Sequence, residues 1–203
     1  MARIGLYGGT FNPIHNGHLG VCRKAVEQLH LDRLHLVPTY VPPHKAAPDL
    51  ASGEDRLAMC RLAAEEISAV FVDDRELVRG GVSYTIDTLR DLHHKYPDDE
   101  LYLLMGSDNY LTFEQWRSWR EICELCTLAV ASRETDDRPV LYHQSHRLAL
   151  DGARTIFLAN EVQVISSTEL RQEIKEGKYP EQLPQAVTDY IKVHQLYRGG
   201  RKE

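Results

Sequence analysis

The chain has 203 residues, 42% of them hydrophobic and 27% charged, with a formal net charge of −6. That length can bury one good core but is short for two full domains, and an ordinary composition argues against disorder or a fibre. The acidic balance argues against broad nucleic-acid or anionic-membrane binding. No apolar run approaches membrane-spanning length, and Met1-Ala2-Arg3 leads straight into a strand without a signal-peptide pattern, so a soluble cytoplasmic protein is expected.

Ile4, Leu6 and Tyr7 read as a short buried strand, which the Gly8-Gly9 pair ends in a tight turn. From Leu19 the apolar residues fall at Cys22, Ala25, Val26 and Leu29, one face of a helix. His15 and His18 stand at the mouth of that helix. A helix start exposes unpaired N–H groups and the positive end of the peptide dipole, which welcome anions. Glycines let a phosphate approach the backbone, and imidazoles add donors. The unit is therefore a candidate nucleotide-phosphate cradle, although it is neither a Walker loop nor the three-glycine dinucleotide fingerprint. Taken alone, the two histidines also fit a solvent-facing turn. A zinc pair would lack its third and fourth ligands nearby.

Leu34, Leu36 and Val37 mark a second strand ending at Pro38, completing a βαβ unit. The proline-stiffened loop Tyr40–Pro48 leaves that strand's carboxyl end, where open α/β sheets bind ligands, and it carries His44 and Lys45. Ser52 through Glu66 reads as a helix, with Ser52 and Asp55 in capping spacing and Leu57, Cys60, Leu62, Ala63 and Ile67 as its apolar side. Val70-Phe71-Val72 is a short strand, and Asp73-Asp74-Arg75-Glu76 reads as a solvated charge run. Ser83-Tyr84-Thr85 opens another helix with Thr85 as its cap, Ile86, Leu89 and Leu92 facing inward, and Tyr96-Pro97 at its end. Leu101–Met105, the most apolar run, reads as a central parallel strand stopped by Gly106. Asp108 follows at its carboxyl end, where a carboxylate can accept hydrogen bonds from ribose or simply cap a helix.

Both tryptophans lie in Phe113–Trp119 and read as core from the sequence alone. Cys123 and Cys126 have CxxC spacing, but they fall inside a helix-like stretch after Trp119, and His143 with His146 is the only pair that would complete a zinc site. Packing is the expected use of all four cysteines. Leu128–Ser132 is another buried strand. Between Arg133 and Arg154 a loop and one peripheral helix around Arg147–Leu150 are expected, and Thr155–Leu158 is the last strand. Ser166 and Glu169 have capping-box spacing at the start of a further helix, whose mouth also carries Ser167 and Arg171, a second set of phosphate donors. An amphipathic helix from Pro184 to Tyr197 closes the domain, and Arg198 onward reads as a frayed tail. The expected fold is α/β, a doubly wound Rossmann-like parallel sheet in a single domain spanning 1–203, with helices on both faces.

Gly8-Gly9-Thr10-Phe11-Asn12-Pro13 with His15-Asn16-Gly17-His18, together with Ile165–Arg171, resembles the two signatures of the nucleotidylyltransferase superfamily. Pro42-Pro43-His44-Lys45, Ser83-Tyr84-Thr85 and Gly106-Ser107-Asp108 extend the resemblance to the bacterial nicotinate mononucleotide adenylyltransferases, from Ile4 to Tyr197. One departure is Asn12, where that family most often has Asp; the resemblance assigns no proton chemistry there. What it implies is adenylyl transfer from ATP to nicotinate mononucleotide, giving nicotinate adenine dinucleotide and pyrophosphate in NAD biosynthesis, with Mg²⁺ carried in by ATP. It gives His15, His18 and Arg171 the catalytic role. Gly8, Gly9, Thr10, Phe11, Lys45, Gly106, Asp108 and Ser167 go to ATP, and Thr85, Trp116 and Arg117 to the mononucleotide. No nucleic acid or membrane partner is implied, and a homodimer is admitted. A sibling transferase with another acceptor, or a nucleotide-sensing module without turnover, would share both signatures.

Overall fold

The structure, a computed structural model of the chain, describes residues 1–43, 49–132, 138–159 and 165–198. Within them the strands are β1 (Arg3–Gly9), β2 (Arg33–Pro38), β3 (Val70–Val72), β4 (Glu100–Gly106), β5 (Thr127–Ala131) and β6 (Thr155–Leu158). They form one sheet in the order β3-β2-β1-β4-β5-β6, and every neighbouring pair is parallel. Parallel neighbours cannot be joined by hairpins, so the crossovers are helical. The helices are α1 (Asn16–Leu29), α2 (Gly53–Ala64), α3 (Arg75–Arg79), α4 (Thr85–Lys95), α5 (Ser107–Leu111), α6 (Trp119–Leu125), α7 (Arg138–Ala149), α8 (Ser167–Lys175) and α9 (Gln185–Val193), with a 3-10 turn at Phe113–Gln115.

The apolar runs are buried on both sides of the sheet, with successive side chains alternating between two cores. Tyr102 and Leu104 join the core under α1, α2, α8 and α9, with Cys22, Met59, Leu170 and Ile191. Leu101, Leu103 and Met105 join the other core, under α4, α6 and α7, with Leu89, Ile122 and Leu148. Each fully buried aliphatic side chain contributes about 1.5–3 kcal/mol as an upper bound. The chain winds outward from β1 through β2 to β3, then returns to β4 and winds the other way. That reversal leaves the carboxyl ends of β1 and β4 side by side with their helices diverging, the place where such sheets open a crevice. Gly8-Gly9 and Gly106 stand at those two ends.

Several local expectations are corrected. The buried residues of α2 are Arg56, Met59, Cys60, Ala63 and Ala64, while Leu57 and Leu62 are only half-buried. The guanidinium of Arg56 has its hydrogen bonds supplied by backbone carbonyls, so a charged residue takes a core position. The run Asp73–Glu76 is solvated only in part: Asp74 is half-exposed, whereas Asp73 and Glu76 turn inward. Asp73 Oδ2 lies 2.8 Å from His35 Nδ1 and accepts from Arg75 Nε and Nη2 at 2.9 and 2.6 Å. Glu76, 4% exposed, accepts the Thr88 hydroxyl at 2.6 Å. These partners sit on other elements or around a turn, so the two carboxylates fold inward.

Thr85 is the first residue of α4 and not its cap. Tyr84, with extended backbone (φ −94°, ψ 128°), holds the cap position, because the Val41–Val82 bridge and the Ser83 N–H to Val41 carbonyl bond keep the chain extended up to it. Along α1, Val26 is half-buried where the other four apolar residues are buried. The helix after residue 137 is longer than expected, and the last helix is shorter. After α9, Gln195 and Tyr197 adopt positive φ (53° and 59°), ending the helix and turning the chain back on the domain. All four cysteines are buried and free, and the Cys126 thiol donates to the Ile122 carbonyl at 3.2 Å. Burial pushes the Cys22 and Cys123 thiols up, to about 12 and about 11.

Candidate active site

A cleft of about 440 Å³ opens at the β1–β4 reversal, within the range of small-molecule sites. It is lined by Gly8, Gly9, Thr10 and Phe11 from the turn after β1, and by His15 and His18 from the mouth of α1. The segment from Ile165 to Thr168 and Arg171 close one side, Gly106 and Asp108 extend from β4, and Thr85, Trp116 and Arg117 close the far end. Every expected site residue among those described therefore faces one space. Lys45 lies outside the described residues.

The mouth of α1 is built to stay positive. His15 occupies the cap position with extended backbone, and no acidic residue sits in the first turn. His15, 4% exposed, stacks on His18 with centroids 3.7 Å apart and planes at 23°. The His15 backbone N–H donates to His18 Nδ1 at 3.3 Å, so the neutral His18 ring carries its proton on Nε2. Phe11 meets His18 edge-on at 5.0 Å and Tyr7 packs at 6.3 Å, holding the ring in place. Gly9 is required by this packing: a Cβ there would lie 2.8 Å from the Phe11 ring.

The second helix mouth is tied to the first. Arg171 Nη1 donates to the Asn12 carbonyl at 2.8 Å and to the Ser167 carbonyl at 3.1 Å, and Nη2 to Thr168 Oγ1 at 3.3 Å. The Ser167 hydroxyl donates to the Pro13 carbonyl at 3.2 Å. As expected, Ser166 caps α8, its hydroxyl accepting the Glu169 N–H at 3.5 Å. The hydrogen-bond partners of Arg171 among the described residues are neutral oxygens, and the Asp49 carboxylate feels its charge without a hydrogen bond between them. The two signature segments, more than 150 residues apart in sequence, thus form one wall.

At the far end, Trp116 is half-buried against Phe113, with centroids 5.6 Å apart, and the Arg117 guanidinium lies 4.7 Å over the Tyr84 ring. Trp119 packs in the core, as expected. Arg90 bridges Glu121 through two 2.7 Å bonds, fixing α4 to α6 and so Thr85 to the tryptophan segment. Ser83, from the Ser83-Tyr84-Thr85 motif, also lines the cleft, as do Thr39 and Glu76, which nothing in their local sequence marks. Burial raises the Glu76 carboxyl above its usual range.

Asn12 takes a structural position. Its Nδ2 donates to the Asp49 carbonyl at 3.0 Å, and its Oδ1 accepts the Ala51 N–H at 3.1 Å and the Tyr197 hydroxyl at 2.6 Å. The amide thereby joins the glycine turn, the cap of α2 and the end of the chain, a junction that the one-residue departure does not announce.

A parallel sheet in this order, with two donor-bearing helix mouths opening on a cleft at its reversal point, is a nucleotide-binding Rossmann-like α/β fold. The family model described as cytidylyltransferase-like matches residues 6–173. A protein of Aeromonas salmonicida named "Probable nicotinate-nucleotide adenylyltransferase" is 41% identical, over 97% of this chain and 98% of its own. One of the same name from Pseudomonas fluorescens is 40% identical over 97% of both chains. The chain belongs to this family, the nicotinate-nucleotide adenylyltransferases of the cytidylyltransferase-like group. The fold is also that of the Plasmodium falciparum nicotinic acid mononucleotide adenylyltransferase complexed with NaAD, with a TM-score of 0.77 at 18% identity, covering 97% of this chain and 98% of that one.

Proposed function

We propose that the protein transfers the adenylyl group of ATP to nicotinate mononucleotide, giving nicotinate adenine dinucleotide and pyrophosphate, a step of NAD biosynthesis. One observation carries the reading beyond family membership: the mouths of α1 and α8 open on one cleft and are bonded to each other through the Asn12 and Pro13 carbonyls. In the reaction an oxygen of the mononucleotide's phosphate attacks the α-phosphorus of ATP, and the bond from that phosphorus to the β-phosphate oxygen breaks. The electron pair leaves with pyrophosphate. The attacking oxygen is already ionised, so no general base and no covalent enzyme intermediate is needed. The protein's task is to align two polyanions and stabilise charge that grows on the α-phosphate and the leaving group.

His18, through Nε2–H, with His15 and Arg171, is placed to do this. Gly8, Gly9, Thr10 and Phe11 bring the backbone close to the phosphates, and Ser167 adds a hydroxyl. Lys45 is assigned to the triphosphate by the resemblance. Asp108, with Gly106 beside it, accepts from the ATP ribose. Thr85 at the α4 mouth and Arg117 receive the nicotinate carboxylate, and Trp116 stacks on the ring. The phosphate end offers imidazoles, a guanidinium and hydroxyls, with Glu76 and Asp108 as the carboxylates lining the cleft. That donor set fits a Mg²⁺ held by the triphosphate's own oxygens. When bound it neutralises phosphate charge during transfer. The test is pyrophosphate release with Mg-ATP against nicotinate mononucleotide, nicotinamide mononucleotide, phosphopantetheine and an alcohol phosphate with CTP. Release with the first acceptor far above the others is expected. Equal release with another acceptor, or ATP binding without any release, refutes the assignment.

A further inference from the structure

We propose that Arg56 is a positioning residue for the ATP phosphates, holding the Thr10–Phe11 peptide from behind so that its N–H turns toward the cleft. This rests on the phosphate reading of the glycine turn given above.

Arg56 is 1% exposed and, unlike Thr10 and Phe11, does not line the cleft. Its Nη1 donates to the Thr10 carbonyl at 2.9 Å, its Nε to the Ala51 carbonyl at 3.1 Å and its Nη2 to the Tyr40 carbonyl at 3.4 Å. One planar guanidinium thus joins three segments: the turn after β1, the loop after β2 and the residue before the α2 cap. Among the described residues, all its hydrogen-bond partners are neutral. A buried ion without a counter-charge is expensive, and what offsets the expense here is the three carbonyls that an apolar side chain would leave without this donor. The charge therefore calls for an explanation other than packing.

Peptide geometry supplies one. In a trans peptide the carbonyl and the following N–H point in opposite directions, and among the described residues the only cis bond is Asn12–Pro13. A Thr10 carbonyl fixed toward Arg56 points the Phe11 N–H away from Arg56, and we infer that it points into the cleft, which Thr10 and Phe11 line and Arg56 does not. Phe11 itself has φ of 44°, a left-handed conformation that is unfavourable for an aromatic residue and needs outside support. The Phe11 ring is also the edge against which His18 rests. Holding this one peptide therefore sets both a backbone donor and the orientation of the imidazole. The buried cation adds a positive potential behind the anion without contacting it.

The test uses Arg56→Met, which keeps the length but loses the charge and the donors, and Arg56→Lys, which keeps the charge but not the three-way fork. Binding of ATP and of adenosine is measured by calorimetry, KM is measured for both substrates, and melting temperatures are recorded. Arg56→Met should weaken ATP about tenfold or more while adenosine binding and the mononucleotide KM stay within about twofold. Arg56→Lys should recover only part of the loss, because the fork that orients the peptide is missing. A merely structural role would lower the melting temperature and leave the ATP-to-adenosine affinity ratio at its wild-type value, and that ratio overturns the proposal. If Arg56→Met does not fold, Arg56→Lys decides by the same ratio. Wild-type protein that does not distinguish ATP from adenosine takes down the phosphate reading and this inference together; a normal wild type with an unchanged ratio in the variants refutes this inference alone.

Discussion

The two ends of the cleft are made of different materials. The end assigned to the phosphates carries His15, His18 and Arg171 and is assembled from segments far apart in the chain, with Arg171 bonded to the Asn12 carbonyl across 159 residues. The acceptor end is aromatic and is assembled from the middle, with Trp116 against Phe113 and Arg117 over Tyr84. A cationic wall binds any phosphate with little regard for what carries it. A flat slot beside a helix mouth discriminates by ring shape and charge. The chemical step should therefore be sensitive to the first end, and the choice of acceptor to the second.

The largest expected effect is at the phosphate end. In the role proposed for His18, His18→Ala removes a donor to developing charge, which commonly costs about 10²–10³ in turnover. Its ring contacts are with Tyr7, Phe11 and His15 at the cleft wall, so the melting temperature should change little. Pyrophosphate release and a thermal melt check both halves, and near-normal turnover would remove His18 from the mechanism. The acceptor end should respond differently. Trp116→Ala deletes a stacking surface worth about 0.5–1.5 kcal/mol, raising the KM for nicotinate mononucleotide roughly three- to tenfold with the KM for ATP unmoved. If the ATP KM rose in parallel, the division between the two ends would be wrong.

Much of this architecture is legible in the sequence because its signals are local. Leu101–Met105 is apolar without interruption because both of its faces are covered, and Ser52 and Ser166 announce their helices by capping within three residues. The two signature segments are likewise readable as motifs. What the sequence hides is pairing at a distance. Nothing near Asp73–Glu76 shows that His35 and Thr88 wait for those carboxylates. Nothing near Arg56 shows that carbonyls of Thr10 and Tyr40 will surround it. Asn12 reads as a missing charge, whereas its amide is a junction of three segments. Local charge density misleads wherever long-range hydrogen bonds replace water.

The smallest effects concern Glu76 in α3 and Asp73 just before it, a buried and a half-buried carboxylate shifted in opposite directions. Burial alone would raise Asp73, but hydrogen bonds from His35 and Arg75 outweigh it and hold the carboxyl well below the aspartate range. A depressed value means stability present above the unfolded pKa and lost as pH falls through the folded one, so melting temperature should decline from about pH 4 downward. Asp73→Asn should lower stability at neutral pH and flatten that acid limb. Glu76 is the reverse case. Burial raises its carboxyl, outweighing the hydrogen bonds from Thr88 and Ser83 and the nearby Arg79 and Arg75.

A raised value means stability present below the unfolded glutamate pKa and lost as pH rises through the folded one. Glu76→Gln keeps the shape and can still accept the Thr88 hydroxyl, but it cannot ionise. Its melting temperature should therefore gain on wild type as pH rises from about 4 toward neutrality. Because Glu76 lines the cleft and is bonded to Thr88 of α4, the helix that Thr85 opens, the same substitution removes a carboxylate near the end assigned to an anionic ring. The mononucleotide KM should fall or hold, while turnover at saturating substrate stays near normal. A Glu76→Gln protein that loses stability more steeply than wild type over that pH range would show that ionised Glu76 is held by partners stronger than its burial.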